Sequence, residues 1–293
     1  MTKFEGILPA LVTPLNEDET VNTAVLSDLI EYLIGKGADG FYVGGATGEG
    51  IALSAKERMI LAEGSIDAIK GRKPCIIHIA SVNFNEAIEL AKHAERVGAD
   101  GISAIPPLFF SYSEDDVYNY YKRLAESVNI PLMIYFNPAV GFNINAKFAA
   151  RAFEVDNITA IKWTSSNYYE MMKLKDLTNG EMNIINGPDE MLLMGLNAGA
   201  DGGIGTTYNF MLQTIKAVYD NFKSGNIARA QKEQIKADRI IEALLRYSGI
   251  PATKVVLEKM GFAVGNSVFP MRKYSESEKD VIISEMIKAG LEI

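Results

Sequence analysis

Gly37-Ala38-Asp39-Gly40 recurs as Gly98-Ala99-Asp100-Gly101 and again as Gly199-Ala200-Asp201-Gly202. Each copy follows an amphipathic helical stretch and precedes a short run of β-branched, aromatic or glycine residues. That is the pattern of a tight αβ loop: the first glycine ends the helix in the left-handed region and the chain then enters a strand. The copies are 61 and 101 residues apart, close to two and three units of a βα module of roughly 30 residues. The shared flanks of all three copies argue against chance.

In that register eight strand candidates fall out: Gly6–Thr13, Gly40–Gly45, Pro74–Ala80, Gly101–Ile105, Pro131–Asn137, Ile158–Thr164, Met182–Asn186 and Gly202–Thr206. Helical patterns separate them. Thr23–Lys36 carries Leu26, Leu29, Ile30 and Leu33 at helical spacing, and Ser54 stands three residues before Glu57 as in a capping box. Phe84–Val97, Glu114–Val128, Ala146–Glu154 and Asn167–Leu177 follow in the same style. Strands alternating with helices mean parallel βαβ units, and eight of them predict an α/β fold, a (β/α)8 TIM barrel, over residues 1–220. Beyond about Asn221 the helical runs Asn226–Tyr247, Pro251–Met260 and Ser277–Ala289 predict a C-terminal helical extension, 221–293, packed on the barrel as one structural unit.

Composition narrows the chemistry. A chain of 293 residues, 48% hydrophobic and 23% charged, can bury a core without disulfide or metal staples. Lys plus Arg number 29 against 37 acids, a net charge of −8, which speaks against nucleic acid or an anionic membrane as partner. One cysteine, Cys75, excludes an intrachain disulfide and a cysteine zinc site, and two histidines leave little for a metal centre or a Ser-His-Asp triad. The stretch MTKFEGILPALVTP is interrupted by Pro9 and Pro14 and lacks a signal-peptide core, and no apolar run approaches the ~18 residues that span a bilayer. The expectation is a cytoplasmic protein, without metal, whose chemistry falls to Lys, Tyr, Thr, Ser, Asp and Glu.

Active sites of such barrels lie at the C-terminal ends of the strands. Lys162 stands out there, in Ile-Thr-Ala-Ile-Lys-Trp-Thr (158–164), a run that otherwise reads as buried strand. A lysine shielded from water can attack a carbonyl as the free amine and form a Schiff base, or it can simply pair with a core carboxylate. Tyr135 ends the preceding strand, where a phenol can relay protons or merely pack. Gly44-Gly45-Ala46-Thr47-Gly48-Glu49 is a glycine-rich turn whose N–H groups and Thr47 hydroxyl suit a carboxylate or phosphate, without matching a P-loop or dinucleotide fingerprint. His78, His93 and Cys75 read as packing or solvent-facing residues. Phe109, Phe110, Tyr112, Tyr118, Tyr120 and Tyr121 read as core or subunit interface, and the repeat aspartates as turn residues at the opposite end of the barrel.

Taken together, Gly-Gly-Ala-Thr-Gly-Glu, Tyr135 and the Ile-Lys-Trp-Thr around Lys162 resemble the pyruvate-dependent class I aldolases, the family of N-acetylneuraminate lyase and dihydrodipicolinate synthase, over essentially the whole chain. Asn186-Gly187-Pro188-Asp189-Glu190 and Gly202 to Asn209 resemble its lyase branch. The resemblance implies a carbon–carbon lyase that reversibly cleaves N-acetylneuraminate to N-acetylmannosamine and pyruvate, with no cofactor beyond a covalent imine on Lys162. It further implies Tyr135 as proton donor and acceptor, Thr47 and the Ala46 backbone on the pyruvate carboxylate, and Thr164, Gly187, Asp189, Glu190 and Thr206 on the hydroxylated part of the sugar acid. Asp189 and Glu190 can alternatively be read as acids at an exposed helix N-terminus. A homotetramer is implied as well. Three departures stand against this pattern. Ala46 replaces the usual serine, Phe109-Phe110 stand where tyrosine is common (with Tyr112 a candidate substitute), and the loop Phe136 to Gly141 is one residue short and lacks the synthase's arginine. The alternatives are a related aldolase or dehydratase acting on another 2-keto-3-deoxy sugar acid, a dihydrodipicolinate synthase, a phosphosugar aldolase, or a non-catalytic pyruvate-binding barrel.

Overall fold

The computed structural model describes residues 3–293; Met1 and Thr2, and with them the start of the N-terminal stretch, lie outside it. Eight parallel strands alternate with helices. The strands are β1 (Gly6–Pro9), β2 (Phe41–Val43), β3 (Cys75–His78), β4 (Gly101–Ala104), β5 (Leu132–Phe136), β6 (Ile158–Trp163), β7 (Asn183–Asn186) and β8 (Gly202–Gly205). The ladder runs β1-β8-β7-β6-β5-β4-β3-β2, and a parallel bridge between Ala10 and Tyr42 joins its two ends into the (β/α)8 barrel. Every strand residue is buried, as expected where helices cover the outer face of a parallel sheet.

The eight barrel helices are α1 (Thr23–Gly35), α2 (Ala55–Ile69), α3 (Phe84–Val97), α4 (Glu114–Ala125), α5 (Ala146–Phe153), α6 (Tyr168–Leu177), α7 (Leu192–Asn197) and α8 (Tyr208–Lys223). Three more, α9 (Ile227–Leu244), α10 (Gly249–Lys259) and α11 (Glu276–Lys288), follow β8 and α8 without a further strand. The sequence pattern delimits neither α7, only 6 residues long, nor α8, which is kinked by non-helical backbone at Met211 (φ −127°, ψ 36°). The Ser54 reading is half right. Ser54 accepts from the Glu57 N–H at 3.2 Å, but the Glu57 carboxylate turns to the Val21 N–H at 2.8 Å instead of closing the capping box.

The three repeats do more than turn the chain. Gly37, Gly98 and Gly199 have φ of +94°, +94° and +99°, the left-handed conformation that favours glycine there. Two residues later, each aspartate makes a reciprocal pair with one residue of the preceding strand. The Asp39 N–H donates to the Ile7 carbonyl (3.0 Å) while its carboxylate accepts from the Ile7 N–H (2.9 Å). Asp100 does the same with Cys75 (3.0 and 2.8 Å) and Asp201 with Ile184 (2.7 and 2.9 Å). The repeat therefore locks strand pairs β1/β2, β3/β4 and β7/β8 at the N-terminal end of the barrel.

The β5/β6 pair carries a different device. Leu132 pairs with Ile158, but Met133 pairs with Ala160, so Thr159 is an extra residue on β6. Without that bulge, Tyr135 would stand opposite Ile161; with it, Tyr135 stands opposite Lys162.

Asp201 also binds Lys3 (2.8 Å), Lys175 (3.0 Å) and Asn183 (2.8 Å). Burial alone would raise its carboxyl, but these donors together hold it below the ordinary value. A depressed folded-state pKa stabilises above the unfolded value, and that stability is lost as pH falls. Asp201→Asn is expected to cost about 2 kcal/mol in urea unfolding at pH 7, with the gap to wild type closing below about pH 4; a pH-independent gap would contradict the assignment.

Candidate active site

Five barrel strands send polar or aromatic side chains into mutual contact. The Lys162 ammonium lies 4.3 Å from the Tyr135 ring centroid and 4.9 Å from that of Tyr42, with the lysine only 6% exposed. Electron-rich ring faces attract a cation and replace part of its lost hydration. Tyr42 packs edge-on against Tyr135 (6.1 Å) and donates from its hydroxyl to Ser103 on β4 at 3.0 Å. His78 on β3 stands beside both tyrosines, 6.1 Å from Tyr135 and 6.3 Å from Tyr42. No carboxylate forms an ion pair with Lys162 among the described residues, so the alternative of a core salt bridge falls away.

The glycine-rich turn lies at the end of β2 beside this cluster. Gly44 (φ +69°) and Glu49 (φ +58°) take left-handed backbone, and a Cβ at Gly50 would overlap the Gly44 carbonyl. Ala46 is exposed and lines a cavity of about 350 Å³ with His78 and Tyr135. The N–H groups of Ala46 and Thr47 donate to no protein acceptor among the described residues. Thr47 is buried, and its hydroxyl bonds that of Thr206 at 2.6 Å, so the β2 and β8 loops meet across the end of β1.

On the other side of the barrel mouth, Thr164, Gly187, Asp189, Glu190 and Thr206 line a second cavity of about 480 Å³. The ladder continues past the strand ends to place them: Thr164 donates to the Phe136 carbonyl (2.8 Å) and Gly187 to that of Trp163 (2.9 Å). A Cβ at Gly187 would overlap the Thr164 hydroxyl, which is buried without a partner. The two acids differ in environment. Asp189 is buried and one oxygen accepts from both the N–H and the hydroxyl of Thr207 (2.8 and 2.6 Å). Burial pushes its carboxyl up to about 6 against these bonds. Glu190 is exposed at the cavity edge. The reading as acids at an exposed helix N-terminus therefore fits Glu190, which lies in the first turn of a short 3-10 helix (Asp189–Met191), but not the buried Asp189.

Several residues set aside in the sequence take part. His78 lines the first cavity, whereas His93 is buried on the barrel flank against Glu63 (2.8 Å) and Cys75 is buried with its thiol pushed up by desolvation. Phe109 is 87% exposed and Phe110 is also exposed, while Tyr120 and Tyr121 are core. The Tyr112 hydroxyl donates to the Leu108 carbonyl at 3.5 Å, and its ring packs edge-on against Phe110. Glu49 was unassigned, yet its carboxylate pairs with Lys254 of α10 at 2.7 Å and accepts from the Val268 N–H at 2.7 Å, with the side chains 0% and 2% exposed. Lys254 also donates to the Asn266 carbonyl at 3.0 Å. The C-terminal helices thereby hold the turn that carries Thr47. No group of three or more His, Cys, Asp or Glu side chains is placed to hold a metal among the described residues, and no helix there is long and apolar enough to cross a membrane.

An eight-stranded barrel with a buried, unpaired lysine and a tyrosine at neighbouring strand ends defines an enzyme-like site of the imine-forming kind. Comparison with known proteins agrees. The dihydrodipicolinate synthetase family model matches residues 3–289. The chain is 35% identical over 276 residues to an N-acetylneuraminate lyase from Rhizobium meliloti (strain 1021), covering 94% of this chain and 92% of that one. Its structure matches the Proteus mirabilis N-acetylneuraminate lyase with a TM-score of 0.94 at 31% identity, over 99% of this chain and all of that one. A dihydrodipicolinate synthase from Bacillus anthracis matches with a TM-score of 0.93 at 27% identity, covering 98% and 99%. The chain belongs to the dihydrodipicolinate synthetase family.

Breaking a fully buried ion pair from one side costs about 3–5 kcal/mol, while replacing both charges is far milder. Lys254→Met is expected to lose about that much in chemical unfolding and to raise KM for pyruvate. The double variant Glu49→Gln/Lys254→Met should lose less than Lys254→Met alone, and strict additivity would contradict the coupling.

Proposed function

We propose that the protein is a Schiff-base aldolase that reversibly cleaves N-acetylneuraminate to N-acetylmannosamine and pyruvate. The observation that carries this reading is the Lys162 amine, buried against the rings of Tyr135 and Tyr42 with no carboxylate partner. An unpaired buried amine is costly in a core and useful as a nucleophile. The lyase names of the relatives at 35% and 31% identity favour the sialic acid substrate.

In this reading the Lys162 nitrogen attacks the C2 ketone, water leaves, and a protonated imine forms. Tyr135 takes the proton of the C4 hydroxyl as the C3–C4 bond breaks, and the electron pair moves into the imine to give an enamine. Protonation at C3 and hydrolysis then release pyruvate and return the lysine. The free N–H groups of Ala46 and Thr47 and the Thr47 hydroxyl hold the substrate carboxylate. Thr164, Gly187, Glu190 and Thr206 receive the polyol, with Asp189 shaping that wall through Thr207 and presenting its free edge. No cofactor enters these steps.

A second reading has its own support: Ala46 and the phenylalanine pair remove two hydroxyls, which favours another 2-keto-3-deoxy sugar acid with the same imine chemistry. We place the protein in the cytoplasm as a homotetramer; the exposed Phe109 and Phe110 support burial against a second copy. Pyruvate release from N-acetylneuraminate, read with lactate dehydrogenase and NADH, is the expected result, with Tyr135→Phe lowering kcat by about a hundredfold or more and sedimentation at four times the monomer mass. No turnover of N-acetylneuraminate beside turnover of another acid in a panel would select the second reading, and a monomer would contradict the assembly.

A further inference from the structure

The Tyr135 hydroxyl has no hydrogen-bond partner among the described residues, and Ala46, Phe109 and Phe110 offer it none. The His78 ring packs edge-on against the Tyr135 ring, with centroids 6.1 Å apart at 81°, and both residues line the same cavity. His78 is 3% exposed, and among the described residues neither buried ring nitrogen closes a well-formed hydrogen bond, with the Gly44 backbone beside the ring. Such groups are rare in folded proteins and call for an explanation. The residue is firmly held: its carbonyl accepts from the buried Arg58 guanidinium at 2.9 Å, and it pairs with Ser103 in the ladder. Burial first, then the charges of Arg58 and Lys162, push the imidazole well below its usual pKa. A neutral ring keeps one nitrogen as an acceptor. Tyr42, the other neighbour of Tyr135, already has its hydroxyl on Ser103.

We infer that His78 is the positioning residue behind Tyr135, accepting the phenol's hydrogen bond in the imine complex and its proton during the reaction. The inference rests on the Schiff-base reading above. In the half-reaction with pyruvate, the C3–H bond breaks and its electron pair forms the C2=C3 bond, neutralising the iminium nitrogen. The proton passes to the Tyr135 oxygen as that oxygen's own proton passes to a His78 ring nitrogen. The reverse steps reprotonate C3. Catalytic hydrogen bonds that are open in the free enzyme commonly close only in the complex.

The test is exchange of the pyruvate methyl protons with deuterium in heavy water, followed by NMR, beside borohydride trapping of the pyruvate adduct. His78→Leu is expected to trap the adduct like wild type but to exchange at least about tenfold more slowly, and His78→Gln, which keeps a donor and an acceptor, to recover part of that rate. Should His78→Leu fail to fold, His78→Phe, which keeps the edge-on packing, takes its place with the same outcomes. Normal trapping with exchange within twofold of wild type overturns the inference alone. A wild type that traps no adduct overturns the Schiff-base reading and this inference with it.

Discussion

One extra residue on β6 governs the site. The bulge at Thr159 shifts the β5/β6 register by one, so that Lys162 rather than Ile161 faces Tyr135. Side chains alternate along a strand, and a one-residue slip exchanges one face for the other. The shift sets the lysine against the rings of Tyr135 and Tyr42 instead of leaving an isoleucine there. Three other pairs, β1/β2, β3/β4 and β7/β8, are pinned by their repeat aspartates.

That irregularity has a cost that the surrounding structure absorbs. Among the described residues the Thr159 and Thr164 hydroxyls, on β6 and just past its end, are buried without partners. Polar groups left open in a core lower stability. Elsewhere the chain compensates with closed polar units: the Asp201 cluster at the barrel's N-terminal end and the Glu49–Lys254 pair near its mouth. The C-terminal helices act through that pair on the turn that bears Thr47, at the carboxylate end of the proposed site.

Much of this was legible in the residues. The glycines of the repeat announced left-handed helix ends, and all eight strands were found because they read as buried runs between helical patterns. Lys162 was conspicuous because a charge interrupts such a run. What escaped had no local signal. The register shift at Thr159 depends on pairing between strands. The aspartates looked like ordinary turn residues until their partners on the preceding strand were known. His78 ends a buried run as Tyr135 nearly does, and that shared placement of a polar ring at a strand end was the available clue. Glu49 and Lys254 are 205 residues apart in sequence and meet only in three dimensions.

The central claim is that Lys162 is the imine-forming nitrogen and that the Ala46–Thr47 turn receives the carboxylate. A crystal structure of the protein reduced with borohydride in the presence of pyruvate tests it directly. The account predicts continuous density from the Lys162 nitrogen to C2 of the adduct, with its carboxylate on the N–H groups of Ala46 and Thr47 and the Thr47 hydroxyl. An adduct on another lysine, or a carboxylate seated away from that turn, would contradict it.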